Sequence, residues 1–218
     1  MITSMQPVQE LFQELSPRLS TSVRLYLIGG IVLLQQGLKG ATKDIDIVVE
    51  TKEEFEAFHD ALEQAKFSPK IPRKGAEHMN LNQVFVRGEL NIDLFQKEVC
   101  GKFALSKTMM QRARPAFDYP NLGIFFCSNE DIFLFKNMTE RDGDIDDCLA
   151  LANMTLNYDS ILEELQHQIK QSKQDIWVTW VGERMDILEE KGAIIPIMDR
   201  LNQLREAYME KWMKEREK

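Results

Sequence analysis

The sequence predicts an α+β protein in which a small mixed sheet with flanking helices is followed by an all-helical C-terminal part. Short runs rich in β-branched residues alternate with helical patterns as far as residue 127, and only helical patterns follow. This change predicts a first domain over residues 1–127 and a helical C-terminal domain over residues 128–218. The 218 residues are enough for one large domain or two small ones, and they contain no internal repeat.

The composition is that of an ordinary globular protein, with 44% hydrophobic and 28% charged residues. No apolar run approaches the roughly 18 residues of a membrane span, and the first residues lack an apolar signal core. We therefore expect no membrane partner and a cytoplasmic location. The three cysteines are widely spaced and predict neither a disulfide framework nor a zinc site. A net charge of −8 argues against a chain-wide nucleic-acid surface.

The first part of the chain contains two predicted strands joined through a pair of glycines. Apolar residues at helical spacing predict a helix over residues 6–19, which Pro17 can end early. The apolar run Val23–Ile28 predicts the first strand, and Gly29-Gly30 ends it. The elements predicted next are a short helix over Ile31–Gly37 and a strand over Asp44–Val49.

The following segment predicts a capped helix and a β-hairpin. Thr51 and Glu54 have the spacing of a capping box, and the helix that it opens carries apolar residues on one face. Residues 66–75 contain two prolines and predict a loop or an edge strand. Gly88-Glu89 predicts a hairpin turn. The arms of this hairpin are residues 82–87 and 90–95.

Helical patterns dominate the rest of the chain. A helix over Phe103–Arg114 and a short strand over Leu122–Cys127 complete the mixed part. Ser128 and Asp131 have the spacing of a second capping box, which opens a helix over Ile132–Met138. Four further helices are predicted over residues 143–155, 159–171, 174–190 and 194–214.

Three aspartates on predicted strands are candidate metal ligands. Because strand side chains alternate between faces, Asp44 and Asp46 project from one face and the apolar residues around Asp46 from the other. Two such carboxylates repel each other and are costly to desolvate, and a divalent cation removes both problems. Asp93 is the only acidic residue between Leu90 and Phe95. The alternative is that Asp44 and Asp46 are surface carboxylates on an edge strand.

The Gly29-Gly30 pair lets the backbone approach a phosphate closely, although tight strand-to-helix turns also use such a pair without any ligand. Together with the run Asp44-Ile45-Asp46-Ile47, it resembles the nucleotidyltransferase superfamily, which has the DNA polymerase beta-like fold. The signature of that superfamily is Gly-Gly or Gly-Ser at the start of a helix, followed by Asp-h-Asp-h on a strand, where h is apolar. Ile31 stands where many members carry serine.

The segment GLKGATKDIDIVV is most similar to the corresponding segment of small stand-alone archaeal and bacterial members. Some of those members are relatives of abortive-infection toxins. The resemblance, which covers Val23 to Asp147, implies that the first domain transfers a nucleoside monophosphate from a nucleoside triphosphate to an acceptor hydroxyl. It implies as acceptor an RNA end such as that of transfer RNA, a protein or a small molecule. It also implies that Asp44 and Asp46 bind two ions of Mg²⁺ or Mn²⁺, and that Asp93 binds the catalytic ion and helps to deprotonate the acceptor.

A second group of residues resembles a pattern of related nucleotidyltransferases, a lysine on one helix followed by Arg and Asp residues that open the next. Lys136 could then pair with the triphosphate, and Asp144 would orient it. The alternative is that Lys136 extends from a helix face while the acidic run caps the next helix. The candidate nucleotide-binding residues are therefore Gly29, Gly30, Lys43, Lys136, Arg141 and Asp144.

Two other features each have two interpretations. The segment from Lys97 to Arg114 holds five basic residues against Glu98 alone, which indicates either a solvated helix face or a rim for phosphates or an acidic acceptor. The large apolar residues of the last two predicted helices have helical spacing. Such a stripe usually packs in the protein core, and the alternative is that it forms a platform for the acceptor or a surface for a partner.

Two rival functions use the same residues. One is a non-catalytic module that keeps the fold and senses a nucleotide, and the complete set of Asp44, Asp46 and Asp93 argues against it. The other is the toxin component of a toxin–antitoxin pair, whose partner would be an antitoxin. A second copy of the chain is a further candidate partner.

Overall fold

The computed structural model describes residues 1–71, 81–139 and 141–216. The chain forms two compact units, Met1–Ser128 and Asn129–Lys218. The first unit contains a mixed sheet with helices, and the described elements of the second are helices, so the predicted α+β class is confirmed. Across the described ranges, no helix has both the length and the hydropathy needed to span a bilayer.

The first unit contains the strands. They are β1 (Val23–Ile28), β2 (Ile45–Val49), β3 (Ser68–Lys70), β4 (Gln83–Arg87), β5 (Leu90–Gln96), β6 (Glu98–Cys100), β7 (Phe103–Ala104), β8 (Arg114–Tyr119) and β9 (Leu122–Phe126). The main sheet has the order β3-β4-β5-β2-β1-β9-β8, and β6 pairs with β7 separately. The β2/β5 and β1/β9 pairs are parallel and the other pairs of this sheet are antiparallel, so the sheet is mixed, as predicted.

The helices are divided between the two units. The first unit contains α1 (Gln6–Leu15), α2 (Gly30–Gln35), α3 (Lys52–Gln64) and α4 (Lys107–Arg112). The second contains α5 (Asn129–Asn137), α6 (Asp142–Ala152), α7 (Tyr158–Ser172), α8 (Trp177–Glu190) and α9 (Met198–Arg216).

The centre of the sheet is rigidly packed. The apolar side chains of β2 are fully buried, and its neighbours β1 and β5 bury Leu25, Leu27, Ile92 and Leu94 completely. Close packing of this kind leaves little freedom for the backbone of the central strands. Polar side chains that project from β2 and β5 are therefore held in fixed relative positions.

The capping box of α3 is confirmed and fixes the far end of β2. The Thr51 hydroxyl accepts a hydrogen bond from the Glu54 amide, and the buried Glu54 carboxylate accepts from the amides of Glu50 and Thr51. The same carboxylate accepts from the amide of Arg24 on β1. A single buried acid thus joins the start of α3 to the ends of two central strands.

Several predicted elements are shorter than expected. Helix α1 ends at Leu15 and continues as a single 3₁₀ turn over Ser16–Arg18, because Pro17 cannot donate to the α-helical ladder. The proposed edge strand is β3, which lies at the edge of the sheet, and residues 72–75 of that prediction are outside the described residues.

The predicted strand Val23–Ile28 and the hairpin around Gly88-Glu89 are confirmed.

The predicted helix over Phe103–Arg114 is wrong at both ends. Phe103 and Ala104 form β7, and α4 begins only after Ser106, whose hydroxyl accepts from the Met109 amide. Arg114 begins β8, an outer strand that the sequence analysis missed. Pro115 is tolerated in β8 because an outer strand needs hydrogen bonds on one side only.

Candidate active site

Asp46 and Asp93 lie directly opposite each other in the parallel β2/β5 pair. Neighbouring strands are about 4.8 Å apart, and residues that pair across them project from the same face. The two side chains therefore leave one face of the sheet side by side, and both are half-buried. Ile28, the last residue of β1, pairs with Asp46 on its other side, so this row lies where β1 ends.

Asp44 lies immediately before β2 and is also half-buried. It is two positions from Asp46, which is the spacing of residues on one face of an extended chain. The approach to β2 is held by β5, because the Asn91 side-chain amide donates to the Lys43 carbonyl (3.4 Å between Nδ2 and O). The candidate ligands thus come from two adjacent strands of a packed sheet.

Gly29 has a backbone that only glycine adopts without strain, with φ of 69° and ψ of −150°. It also lies against Asp46, because a Cβ at this position would be 2.1 Å from Asp46 Oδ2. The absence of a side chain at Gly29 therefore permits both the turn into α2 and the position of the Asp46 carboxylate. These two requirements explain why glycine ends β1.

Gly30 is buried, and a Cβ there would meet Thr42 Oγ1 at 2.5 Å and Lys39 Cδ at 3.8 Å. Thr42 is itself fixed by two backbone hydrogen bonds with Ile2, of 2.8 and 2.9 Å between N and O. Its hydroxyl also donates to the Asp44 carbonyl at 3.3 Å. Close packing at Gly30 therefore positions the segment that leads into Asp44.

This donor set fits a hard divalent cation. Carboxylate oxygens are the protein ligands that Mg²⁺ and Mn²⁺ prefer, and Mg²⁺ sites use one or two carboxylates together with phosphate oxygens. Asp46 and Asp93 supply two carboxylates from paired positions, and Asp44 supplies a third nearby. Gly29, whose lack of a side chain makes room for the Asp46 carboxylate, lies directly beside this pair.

Another acidic group within the described ranges differs in kind. His59, Asp60 and Glu63 have potential ligand atoms within 4.8 Å of one another on α3. Asp60 and Glu63 are exposed, and His59 packs edge-on against Phe85, with ring centroids 5.1 Å apart. Exposed acidic groups on a helix are common without any ion. This group supports no site.

In the second unit, Lys136 lies in a buried ion-pair network. Its Nζ is 2.8 Å from Asp144 Oδ1 and 2.6 Å from Asp147 Oδ2, and the lysine is 5% exposed. Asp144 also accepts hydrogen bonds from the Thr139 hydroxyl and from Arg141 Nε. The network joins α5 to α6.

Electrostatic coupling in this network overcomes the effect of burial. Burial alone would raise the pKa of Asp144, but Lys136, with hydrogen bonds from Thr139 and Arg141, lowers it to about 2. Burial alone would lower the pKa of Lys136, but Asp144 and Asp147 raise it. Lys136 and Asp144 are therefore both charged near neutral pH.

The chain matches the model of the family described as nucleotidyltransferase of unknown function (DUF6036) over residues 4–188, which is most of its length. It belongs to this family. It is thus an enzyme of the nucleotidyltransferase superfamily, as the glycine pair and the aspartates predict. No curated protein matches the chain.

A crystal structure of ANT(2″)-Ia in complex with adenylyl-2″-tobramycin is among the solved structures similar to this nucleotidyltransferase. The two chains are 10% identical, and the TM-score is 0.37. The similarity covers 75% of this chain and 88% of the other. At this level, the similarity carries no information about the substrate of the family member described here.

The other predicted site residues of the nucleotidyltransferase lie in different surroundings. Lys43 is exposed, and its role stays a prediction. Lys136, Arg141 and Asp144 are joined to one another, and whether they also bind a triphosphate stays a prediction.

The basic segment from Lys97 to Arg114 does not form a single rim beside Asp46 and Asp93. Lys97 follows β5 and donates its amide to Val49, the last residue of β2, whereas Asp46 is near the start of β2. Arg114 begins β8, four strands away from β5 in the sheet. Arg114 pairs with Phe126, which in turn pairs with Leu27 on β1. Leu27 projects from the face of the sheet opposite to that of Ile28 and its partner Asp46, so Arg114 belongs to the face opposite Asp46.

Two residues of the site were missed in the sequence. Thr42 and Lys39 lie over Gly30, at 2.5 and 3.8 Å from the position of a Cβ there. The signal available was position alone, because both belong to the segment between the glycine pair and Asp44. Residue type gave no signal, since threonine and lysine are ordinary in connecting segments.

Proposed function

We propose that this nucleotidyltransferase depends on a divalent metal ion and transfers a nucleoside monophosphate from a nucleoside triphosphate to an acceptor hydroxyl. The observation that carries the proposal is the direct pairing of Asp46 with Asp93, with Gly29 against the Asp46 carboxylate. Two carboxylates that lie side by side on a packed sheet repel each other, and a divalent cation bound between them would offset that repulsion. A cation at this position is what nucleotidyl transfer needs.

In this proposal, Asp44, Asp46 and Asp93 hold Mg²⁺ or Mn²⁺. When bound, the ions stabilise negative charge on the attacking and leaving oxygens of the displacement. The acceptor oxygen forms a bond to the α-phosphorus, the bond to the β-phosphate oxygen breaks, and pyrophosphate leaves. Asp93 accepts the proton of the acceptor hydroxyl at its carboxylate. The phosphates are proposed to bind along the backbone of the Gly29-Gly30 turn, beside Asp46.

The acceptor is proposed to be a hydroxyl group of an RNA end, a protein or a small molecule. Purified protein would be incubated with each of the four α-³²P-labelled nucleoside triphosphates, Mg²⁺ and a cell extract. Digestion of the labelled product with ribonuclease or protease, or its passage through a small-pore membrane, then distinguishes the three classes. The matched control for a general loss of negative charge is Asp118→Asn, because Asp118 is an exposed carboxylate on the outer strand β8.

We expect label in one acceptor class with wild type and with Asp118→Asn, and none with Asp46→Asn or without the metal. Labelling that survives Asp46→Asn would contradict the proposed site. A protein that binds nucleotide tightly but labels nothing in any extract would instead support a nucleotide-sensing module. Lethal expression that requires an intact Asp46 would support a toxin component.

A further inference from the structure

The turn between β1 and α2 lacks a strong source of positive charge of its own. Helix α2 contains only six residues, Gly30–Gln35, so its dipole is small. The carboxylates of Asp44, Asp46 and Asp93 lie close by, and a triphosphate would bring more negative charge to the same place. A cationic side chain near the turn would add to the charge of the proposed metal ions if phosphates bind there.

The side chain of Lys39 packs against Gly30 in this turn. Its Cδ is 3.8 Å from the position that a Gly30 Cβ would occupy, and the side chain is half-buried. Lys39 Nζ is two bonds beyond that Cδ. The neighbouring residue, Gly29, lies against Asp46 Oδ2. Of the two adjacent glycines, Gly30 thus contacts the lysine stem and Gly29 contacts the Asp46 carboxylate.

The segment that carries Lys39 is held in place by Thr42. The Thr42 hydroxyl packs against Gly30, and the Thr42 backbone is hydrogen-bonded to Ile2. A half-buried lysine can cover its apolar stem in this way while its ammonium group stays in polar surroundings.

We propose that Lys39 binds the β- and γ-phosphates of the nucleoside triphosphate, across the Gly29-Gly30 turn from Asp46. This inference rests on the proposed function, because it names a residue for the triphosphate that the transfer reaction uses. Lys39 supplies a point charge to the leaving pyrophosphate group. It makes no bond to the acceptor and takes no part in proton transfer.

The test uses inorganic tripolyphosphate with Mg²⁺, a probe that is independent of the base. Its affinity would be measured by calorimetry for the full-length wild type and for Lys39→Met, Lys39→Arg, Lys52→Met and Asp46→Asn. Methionine keeps the apolar stem over Gly30 and removes the charge. Lys52→Met is the matched control, because Lys52 is an exposed lysine ion-paired with Glu56 at the start of α3, beyond the far end of β2.

We expect Lys39→Met to weaken tripolyphosphate binding by about tenfold to a hundredfold, the range of a charge-assisted hydrogen bond. Lys39→Arg should recover most of the affinity, and Lys52→Met should bind like wild type. The salt dependence of binding should also become shallower in Lys39→Met, because one charge no longer contributes. A merely structural lysine would leave that slope unchanged.

The two proposals fail in different ways. If wild type binds tripolyphosphate, Asp46→Asn loses it and Lys39→Met binds normally, the role of Lys39 is overturned and the proposed function stands. If wild type does not bind tripolyphosphate with Mg²⁺, the role of Lys39 is overturned, and the labelling experiment alone decides the proposed function.

Discussion

At the level of single residues, Gly29 has two separate reasons to lack a side chain. Its backbone, with φ of 69°, is strained for any other residue, and a Cβ would be 2.1 Å from Asp46 Oδ2. We expect Gly29→Ala to lower the free energy of unfolding by roughly 1–3 kcal/mol from backbone strain. Displacement of Asp46 should in addition abolish Mn²⁺ binding, which electron paramagnetic resonance would measure in the folded variant.

The control for Gly29→Ala is Gly37→Ala. Gly37 also has a positive φ, 72°, but a Cβ there would have no neighbour within 4 Å. The control should therefore lose about 1–2 kcal/mol of stability, the usual cost of the left-handed conformation, and should keep its metal binding. Unchanged Mn²⁺ binding in both variants would show that Gly29 is not needed for metal binding at Asp46.

Asp93 is expected to act in transfer more than in nucleotide binding. Asp44 and Asp46 belong to one segment and should hold the metal that accompanies the triphosphate, whereas Asp93 comes from the adjacent strand. Asp93→Asn should keep nucleotide affinity near normal and slow single-turnover transfer by about a thousandfold or more, because the loss is confined to the transition state. Rapid-quench kinetics and equilibrium binding would measure the two quantities.

Two further variants complete that comparison. Asp46→Asn should lose both nucleotide affinity and transfer, since Asp46 lies against the Gly29 turn. Asp118→Asn, on the outer strand β8, should change neither. Near-normal transfer by Asp93→Asn would remove Asp93, and with it most of the proposed catalytic arrangement.

At the level of secondary-structure elements, local patterns predicted some strands and missed others for physical reasons. Strand β1 was predicted at its true bounds, because an apolar run that ends in two glycines has few other conformations. Strand β8 was missed because it is half-exposed and contains Pro115, features that an outer strand tolerates and a central one does not. The short β6 and β7 are set by their mutual pairing and carry little pattern of their own.

The candidate site was predictable in its residue types and not in its arrangement. The alternation around Asp46 and the glycine pair indicate the candidate metal ligands from local sequence alone. The pairing of Asp46 with Asp93 depends on the register between two strands that are far apart in the chain, which no local pattern encodes. The approach of Lys39 to Gly30 likewise depends on how the connecting segment folds back.

The junction of α5 and α6 depends on the buried Lys136. Lys136→Met would leave Asp144 and Asp147 buried without their cation, and breaking a buried ion pair in this way costs about 3–5 kcal/mol. We expect that loss in urea unfolding followed by tryptophan fluorescence, since Trp177, Trp180 and Trp212 all belong to the second unit. Arg200→Met is the control, because Arg200 pairs with Asp159 at the surface, where such pairs contribute about 0–1 kcal/mol.

Acid should weaken the same junction in a definite pH range. The pKa of Asp144 is lowered from 3.8 to about 2 in the folded protein, so its stabilising effect is present above pH 3.8 and is lost as the pH falls through 2. That shift corresponds to about 2 kcal/mol. Wild type should lose this amount between these pH values and Asp144→Asn should not. Equal acid sensitivity of the two proteins would show that Asp144 is not paired in solution.

At the level of the whole molecule, unfolding of the second unit can be followed by a spectroscopic signal of its own. Tryptophan fluorescence follows only the second unit, because all three tryptophans are there, whereas far-ultraviolet circular dichroism follows the secondary structure of both. Unfolding of a chain with two compact units need not be a single two-state transition, so both signals are required. The family match over residues 4–188 covers parts of both units.

Nucleotide should stabilise the protein through Asp46 and Asp93 by mass action. A ligand that binds only the folded state adds about 2.7 kcal/mol at a free concentration of one hundred times Kd. We expect Mg²⁺ with a nucleoside triphosphate at that concentration to raise the free energy of unfolding, measured by circular dichroism, by about this amount. Asp46→Asn should abolish the increase and Asp118→Asn should retain it. A wild-type transition that stays unchanged at saturating nucleotide would contradict binding at the Asp46–Asp93 pair.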